Sequence, residues 1–210
     1  AGLIKPETDS NPAEQPGDKA REIMDSRRRA KVSVARWPTS PWQIDAKFPE
    51  FRLYGLASDI SRISRRTDLG DSILTAMILA PFASHPVRFT DLGRLRVQEC
   101  ERVAAMRTEL SKCGAEILED GDTLAISPCA QRLHGAEIET YNDHRIAMSF
   151  ATLGLKVPGI KIKNPACVKK TFPNFFQKLA AAPPEGLGVT IHDATISPPR
   201  PLAAEQLFAD

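Results

Sequence analysis

Between residues 58 and 193 the chain alternates short strand-like runs with longer segments of helical period. "SDISRIS" (58–64) and "PVRFTDL" (86–92) read as strands, while "GDSILTAMILA" (70–80) and "RVQECERVAAMRTELSKC" (96–113) carry apolar residues at helical spacing. Pro81 closes the first helix and Gly114 suits the end of the second. "AEILE" and "TLAIS" then flank "DGD" (120–122), a hairpin signal because Asp and Gly tolerate positive φ. The predicted order is βαβαββ. A second unit of similar pattern begins with "AEIET" (136–140), followed by the helix "NDHRIAMSFATLGL" (142–155), the strand "GIKIK" (159–163), a helix near "FPNFFQKL" (172–179) and the strand "GVTIHD" (188–193). The two units share pattern without enough identity to count as a sequence repeat.

Both ends lose this rhythm. "AGLIKPETDSNPAEQPGD" (1–18) is polar and rich in proline, the basic run "SRRR" (26–29) reads as a solvated face, and the prolines of "WPTSPWQIDAKFPEF" favour extended chain. The expected organisation is a flexible or extended segment over 1–39, an α/β domain over 40–193, and a proline-rich tail over 194–210.

Composition narrows the class. The 28 Lys and Arg against 26 Asp and Glu give a net charge of +2, too balanced for a nucleic-acid-binding footprint. No apolar run approaches a membrane span, and the N-terminus lacks a signal-peptide pattern. Cys100, Cys113, Cys129 and Cys167 have neither CxxC nor zinc-ligand spacing, which suits reduced thiols and a cytoplasmic protein.

The chemistry concentrates at three seams. On the long helix Val103, Met106, Leu110 and Cys113 form an apolar stripe, and Glu99 and Arg102 fall on or beside it one turn earlier. Such groups either pair with each other or face a polar cavity. In "IETYNDHRIAMSF" (138–150), Asn142 or Asp143 can cap the helix, but capping leaves His144 and Arg145 unexplained. An Arg in a first turn opposes the helix dipole, so Arg145 either lies in solvent or sits beside a bound anion. In "ACVKKTFPNFF" (166–176), Lys169 and Lys170 precede Thr171, a potential cap for a helix beginning near Pro173. Glu99, Arg102, Arg145 and Lys170 would then all stand at helix N-termini, as convergent starts around an anionic ligand would require.

These segments together resemble the C-terminal part of the EPSP synthase family. "YNDHR" and "KTFP", with "RVQECERVAAMRTELSKCGAEILEDGDTLAI" before them, carry the resemblance over about residues 68–181. The family transfers the enolpyruvyl group of phosphoenolpyruvate to the 5-hydroxyl of shikimate 3-phosphate and releases phosphate. The resemblance implies a domain of βαβαββ units with helices packed inside against mixed sheets, no metal or organic cofactor, and a site in the cleft against a complementary N-terminal domain. It implies that Arg102 and Arg145 hold the phosphoenolpyruvate carboxylate and Lys170 its phosphate. Asp71 would take the proton of the attacking hydroxyl, and Glu99 would carry the proton at the methylene, with burial expected to raise its pKa. His144 and Asn142 would support the turn.

Three departures accompany the match. Gln98 stands where the family commonly has lysine in an "RVKE" motif, "GD" replaces "PD" before Asp71, and the N-terminal substrate motifs are not found. The related enzyme acting on UDP-N-acetylglucosamine fits the two motifs less well. The alternative reading is a non-catalytic single domain that keeps an anion-binding face.

Overall fold

The structure, a computed structural model, describes residues 60–209. The expected N-terminal segment 1–39 and the first 20 residues assigned to the domain lie outside the described residues.

Strand β1 (Arg62–Ser64) ends in a polar cap. Ser64 Oγ accepts from the backbone N–H groups of Arg66 and Thr67 at 3.1 and 3.2 Å, turning the chain into a π-helical segment, Arg65–Leu69. A 3-10 turn at Gly70–Ser72 leads into α1 (Ile73–Leu79), where Ile73, Leu74, Ala76, Met77 and Ile78 are all buried. A helix apolar on nearly every side belongs inside the molecule. Pro81 ends it within a 3-10 turn, Ala80–Phe82.

Strand β2 (Val87–Thr90) runs parallel to β1, a pairing that needs the crossover through α1. After α2 (Arg102–Lys112) the hairpin β3 (Ile117–Asp120) and β4 (Thr123–Ile126) returns antiparallel, giving a mixed sheet in the order β1-β2-β4-β3. Gly121, at φ +52°, makes the predicted tight turn. Gly114, at φ +89°, stops α2 with a paired closure in which Ala115 N–H donates to the Leu110 carbonyl and Gly114 N–H to that of Ser111.

The second unit follows as β5 (Glu137–Ile138), α3 (His144–Gly154), β6 (Lys161–Ile162), α4 (Phe175–Ala180) and β7 (His192–Asp193), with β5 and β6 parallel. Helix α1 packs on α3, and both touch α2. One apolar cluster, from Ile63 to Val157, joins residues of both units. The chain is thus a mixed α/β fold with interior helices, as expected.

Two elements differ from the sequence reading. The long helix predicted from residue 96 begins only at Arg102, because Glu101 turns its carboxylate back to accept from Ala104 N–H and so caps a later start. Residues 93–97 form a separate 3-10 turn. The segment from 194 onward, expected as a tail, returns to the domain. Strand β8 (Arg200–Pro201) pairs antiparallel with β7, and Leu207 and Ala209 are buried against Ala147, Cys167, Val168 and Phe176.

Candidate active site

Arg102 is the first residue of α2 and is 1% exposed. A guanidinium at that depth requires full pairing, because an unpaired buried charge is costly. Its Nε donates to Asp143 Oδ2 at 2.7 Å and its Nη2 to Asp143 Oδ1 at 3.3 Å, a two-pronged contact with a carboxylate that is itself fully buried. Nη1 reaches Asp71 Oδ2 at 3.2 Å and Gln98 Oε1, while Nη2 also meets Glu99.

Asp143 is supplied by the turn before α3. Its φ of −108° is extended, and its Oδ1 accepts from Arg145 N–H at 2.8 Å, so Asp143 rather than Asn142 is the cap. Asn142 is exposed and accepts through Oδ1 from Asn164 Nδ2 at 3.2 Å. His144 is buried, with Nδ1 unpaired and 4.0 Å from Asp143 Oδ1. Burial holds its imidazole below the ordinary pKa, against the pull of Asp143 and Glu99.

Asp71 lies in the 3-10 turn before α1. Arg65 contacts its Oδ1 through Nε at 3.2 Å and Nη2 at 2.7 Å, Gln98 Nε2 donates to Oδ2 at 3.3 Å, and Arg145 Nε stands 3.8 Å from the same oxygen. Burial opposes the charge of Asp71, but the Arg65 hydrogen bonds and the fields of Arg145, Arg65 and Arg102 outweigh it and hold the carboxyl below its usual range.

Glu99 bridges Arg102 and Lys170. The expectation of a raised pKa is corrected here: burial does raise it, but the Lys170 hydrogen bond and the charges of Arg102 and Lys170 prevail, so the carboxyl titrates lower than usual. The placement of Lys170 is also corrected. It ends a 3-10 helix, Pro165–Lys170, and α4 starts later, with Asn174 instead of Thr171 at the N-cap position and no side-chain hydrogen bond capping the helix.

All five residues singled out for catalysis or ligand binding, Asp71, Glu99, Arg102, Arg145 and Lys170, therefore share one network. His144 and Asn142 lie on the turn beside it. Pattern reading missed Arg65, whose signal was its proximity in sequence to Asp71. It also gave Asp143 only a capping role, although this residue is the buried partner of Arg102. Gln98, noted only for what it replaces, links Asp71 to Arg102.

Glu99, Asp143 and His144 each bring one potential metal-ligand atom within 4.8 Å of the others. Both carboxylates already carry Arg102, and Glu99 also carries Lys170, so the local charge is balanced by these side chains. Cys100 adjoins the network with its thiol 3.5 Å from Asp143 Oδ2; burial and that carboxylate push its pKa up to about 12, which leaves it a poor nucleophile at neutral pH.

An α/β unit that gathers three arginines and a lysine around interleaved carboxylates has the makings of an enzyme subsite for a small anion. The chain matches the family model described as EPSP synthase (3-phosphoshikimate 1-carboxyvinyltransferase) over residues 62–179, and it belongs to that family. It is 46% identical over 111 residues to a 3-phosphoshikimate 1-carboxyvinyltransferase of Nostoc punctiforme, covering 53% of this chain and 26% of that one. A Rhizobium etli protein of the same name is 37% identical over 166 residues, covering 77% and 34%. A solved EPSP synthase from Acinetobacter baumannii superposes with a TM-score of 0.47 at 32% identity, over 51% of this chain and 26% of that one. The chain thus spans about a quarter to a third of the length of these relatives.

Proposed function

We propose that this chain provides one domain's share of an enolpyruvyl transfer from phosphoenolpyruvate to shikimate 3-phosphate, in the shikimate pathway of aromatic amino-acid biosynthesis. The observation that carries the reading is the convergence of Asp71, Glu99, Arg102, Arg145 and Lys170, from four separate segments, into one connected set of ion pairs.

In this reading Arg102 and Arg145 take the phosphoenolpyruvate carboxylate, and Lys170 takes the phosphate. The fork of Arg102 that faces Asp143 stays fixed, while the edge that meets Gln98 and Glu99 is the one a ligand would share. Asp71 accepts the proton of the 5-hydroxyl as its oxygen bonds to the central carbon of phosphoenolpyruvate. Glu99 delivers a proton to the methylene carbon, then removes one as phosphate leaves and the double bond reforms. The carboxylate of Glu99 must first gain that proton, and a ligand that draws off Arg102 and Lys170 removes the two contacts that hold its pKa down.

The shared length relative to the relatives supports the need for a complementary N-terminal domain or chain to hold shikimate 3-phosphate. A site of this kind must fix two anions together and exclude water, which an open half-site does poorly. In this reading the enzyme works in the cytoplasm. No helix among the described residues is long and apolar enough to cross a membrane.

The test is phosphate release from phosphoenolpyruvate and shikimate 3-phosphate by the pure chain, with and without a matching N-terminal domain. Turnover should be very weak alone and restored by the added domain, with dependence on Asp71 and Glu99. No restoration by any well-folded complementary domain would favour the non-catalytic anion-binding alternative. Turnover by the chain alone on the order of ten per second would show a self-sufficient site.

A further inference from the structure

Glu109 is fully buried on α2, two turns beyond Arg102 and on the same face of the helix. Its carboxylate is nonetheless fully employed. Oε1 accepts from Tyr141 Oη at 2.8 Å, Oε2 accepts from Glu139 N–H at 3.1 Å, and Lys112 Nζ sits 2.8 Å from both oxygens. Two of these three donors belong to the strand-to-helix loop that carries Asp143.

That loop is conformationally expensive. Tyr141 at φ +54° and Asn142 at φ +55° are consecutive non-glycine residues in the left-handed region. Asn tolerates this conformation, whereas a bulky aromatic does so only when its surroundings enforce it. The Glu109 carboxylate meets the loop at Glu139 N–H and again at Tyr141 Oη, while Arg102, seven residues earlier on the same helix, grips Asp143. One rigid helix thus holds the loop on both sides of its strained pair. Partial burial and the Glu109 carboxylate push the Tyr141 phenol up to about 12, so it remains a hydrogen-bond donor at neutral pH.

We infer that Glu109 and Tyr141 are positioning residues for the anion site: their hydrogen bond fixes loop 139–143 so that Asp143 both orients the Arg102 guanidinium and starts α3 at the point that presents Arg145. Neither residue needs to touch a ligand. The functional consequence rests on the reading of Arg102 and Arg145 as anion-binding groups, whereas the positioning itself is independent of any ligand.

The test uses the full chain carrying Tyr141→Phe or Glu109→Gln, with Val103→Ala as a control that removes apolar packing from the same helix and keeps both the Glu109 and the Tyr141 side chains. Hydrogen exchange is followed at Arg145 N–H and Arg102 Nε–H, the two groups held by Asp143, under conditions of equal global stability. Both sites should exchange at least tenfold faster in Tyr141→Phe than in Val103→Ala. Equal exchange in the two variants would overturn the inference. If Glu109→Gln fails to fold, Tyr141→Phe still decides, because it removes one oxygen from a residue that is 38% exposed. A parallel titration with phosphoenolpyruvate should show about tenfold weaker binding in Tyr141→Phe. Faster exchange in a protein whose wild type ignores phosphoenolpyruvate would uphold the positioning and count against the proposed function instead.

Discussion

The guanidinium of Arg145 differs from that of Arg102 in a way that assigns it the more adaptable part. Arg102 is buried and gripped on two sides, whereas the Arg145 side chain is 37% exposed and only loosely paired, 3.8 Å from Asp71. Replacing Arg145 by Ala should therefore leave the fold intact and weaken phosphoenolpyruvate binding by about 1–3 kcal/mol, the range for a lost charge-assisted hydrogen bond. Titration calorimetry giving indistinguishable affinities would remove Arg145 from the site. His144 offers a pH test. Its folded pKa lies below the unfolded value near 6.5, so as pH falls through 6.5 the unfolded chain gains a proton that the folded chain resists. Stability should consequently decline between about pH 7 and pH 5, and the decline should be shallower in His144→Asn, as measured by denaturant unfolding at both ends of that range. These residues were legible because "YNDHR" and "KTFP" are compact motifs. Glu109 and Tyr141 were not, since their partnership spans 32 residues and depends on a left-handed tyrosine that no local pattern announces.

At the scale of elements, the helices were easier to find than their starts. The apolar stripe Val103, Met106, Leu110 and Cys113 is fully buried, so the period of α2 was sound over its whole observed length. Its beginning was misplaced because residues 96–100 continue a plausible pattern, and only the back-turned Glu101 carboxylate interrupts it. The shift matters chemically: Glu99 sits on a bend, free of helical hydrogen bonding, where it can reach Lys170 as well as Arg102. Helix α1 carries a different expectation. Met77 is fully enclosed at the centre of a helix buried on nearly all sides, and α1 leans on α3. Met77→Ala should destabilise the protein by about 2–5 kcal/mol, measurable as a shifted denaturant midpoint with little change in slope. A loss below half a kcal/mol would show that the helices repack freely.

For the whole molecule, the C-terminal segment is tied to the site through the small core beneath the 3-10 helix that carries Lys170. Leu207 and Ala209 pack with Cys167 and Val168 from that helix, Phe176 from α4 and Ala147 from α3. Leu207→Asp should put an unpaired carboxylate among these apolar side chains and loosen Lys170 before it disturbs the main sheet. Amide exchange rising across residues 165–179 while β2 and β4 stay protected would bear this out, and uniform exchange everywhere would refute it. The proline content of the segment suggested a tail, because its three prolines, Pro198, Pro199 and Pro201, disfavour regular structure. It did not reveal that irregular chain can still deliver two apolar residues to a shared core.

Arg102 has one more consequence, which concerns how the molecule opens. Its guanidinium joins Asp71, 31 residues upstream in the first unit, to Asp143, 41 residues downstream in the second, across the seam of the larger apolar cluster. Neither unit can come apart alone without stranding a buried charge. Transient unfolding should then be all-or-none across the pair, with α1, α2 and α3 opening at one common free energy and no half-folded form in which Arg102 keeps only one of its two aspartates. Proteases and misassembly would meet the Asp71–Arg102–Asp143 centre either whole or not at all.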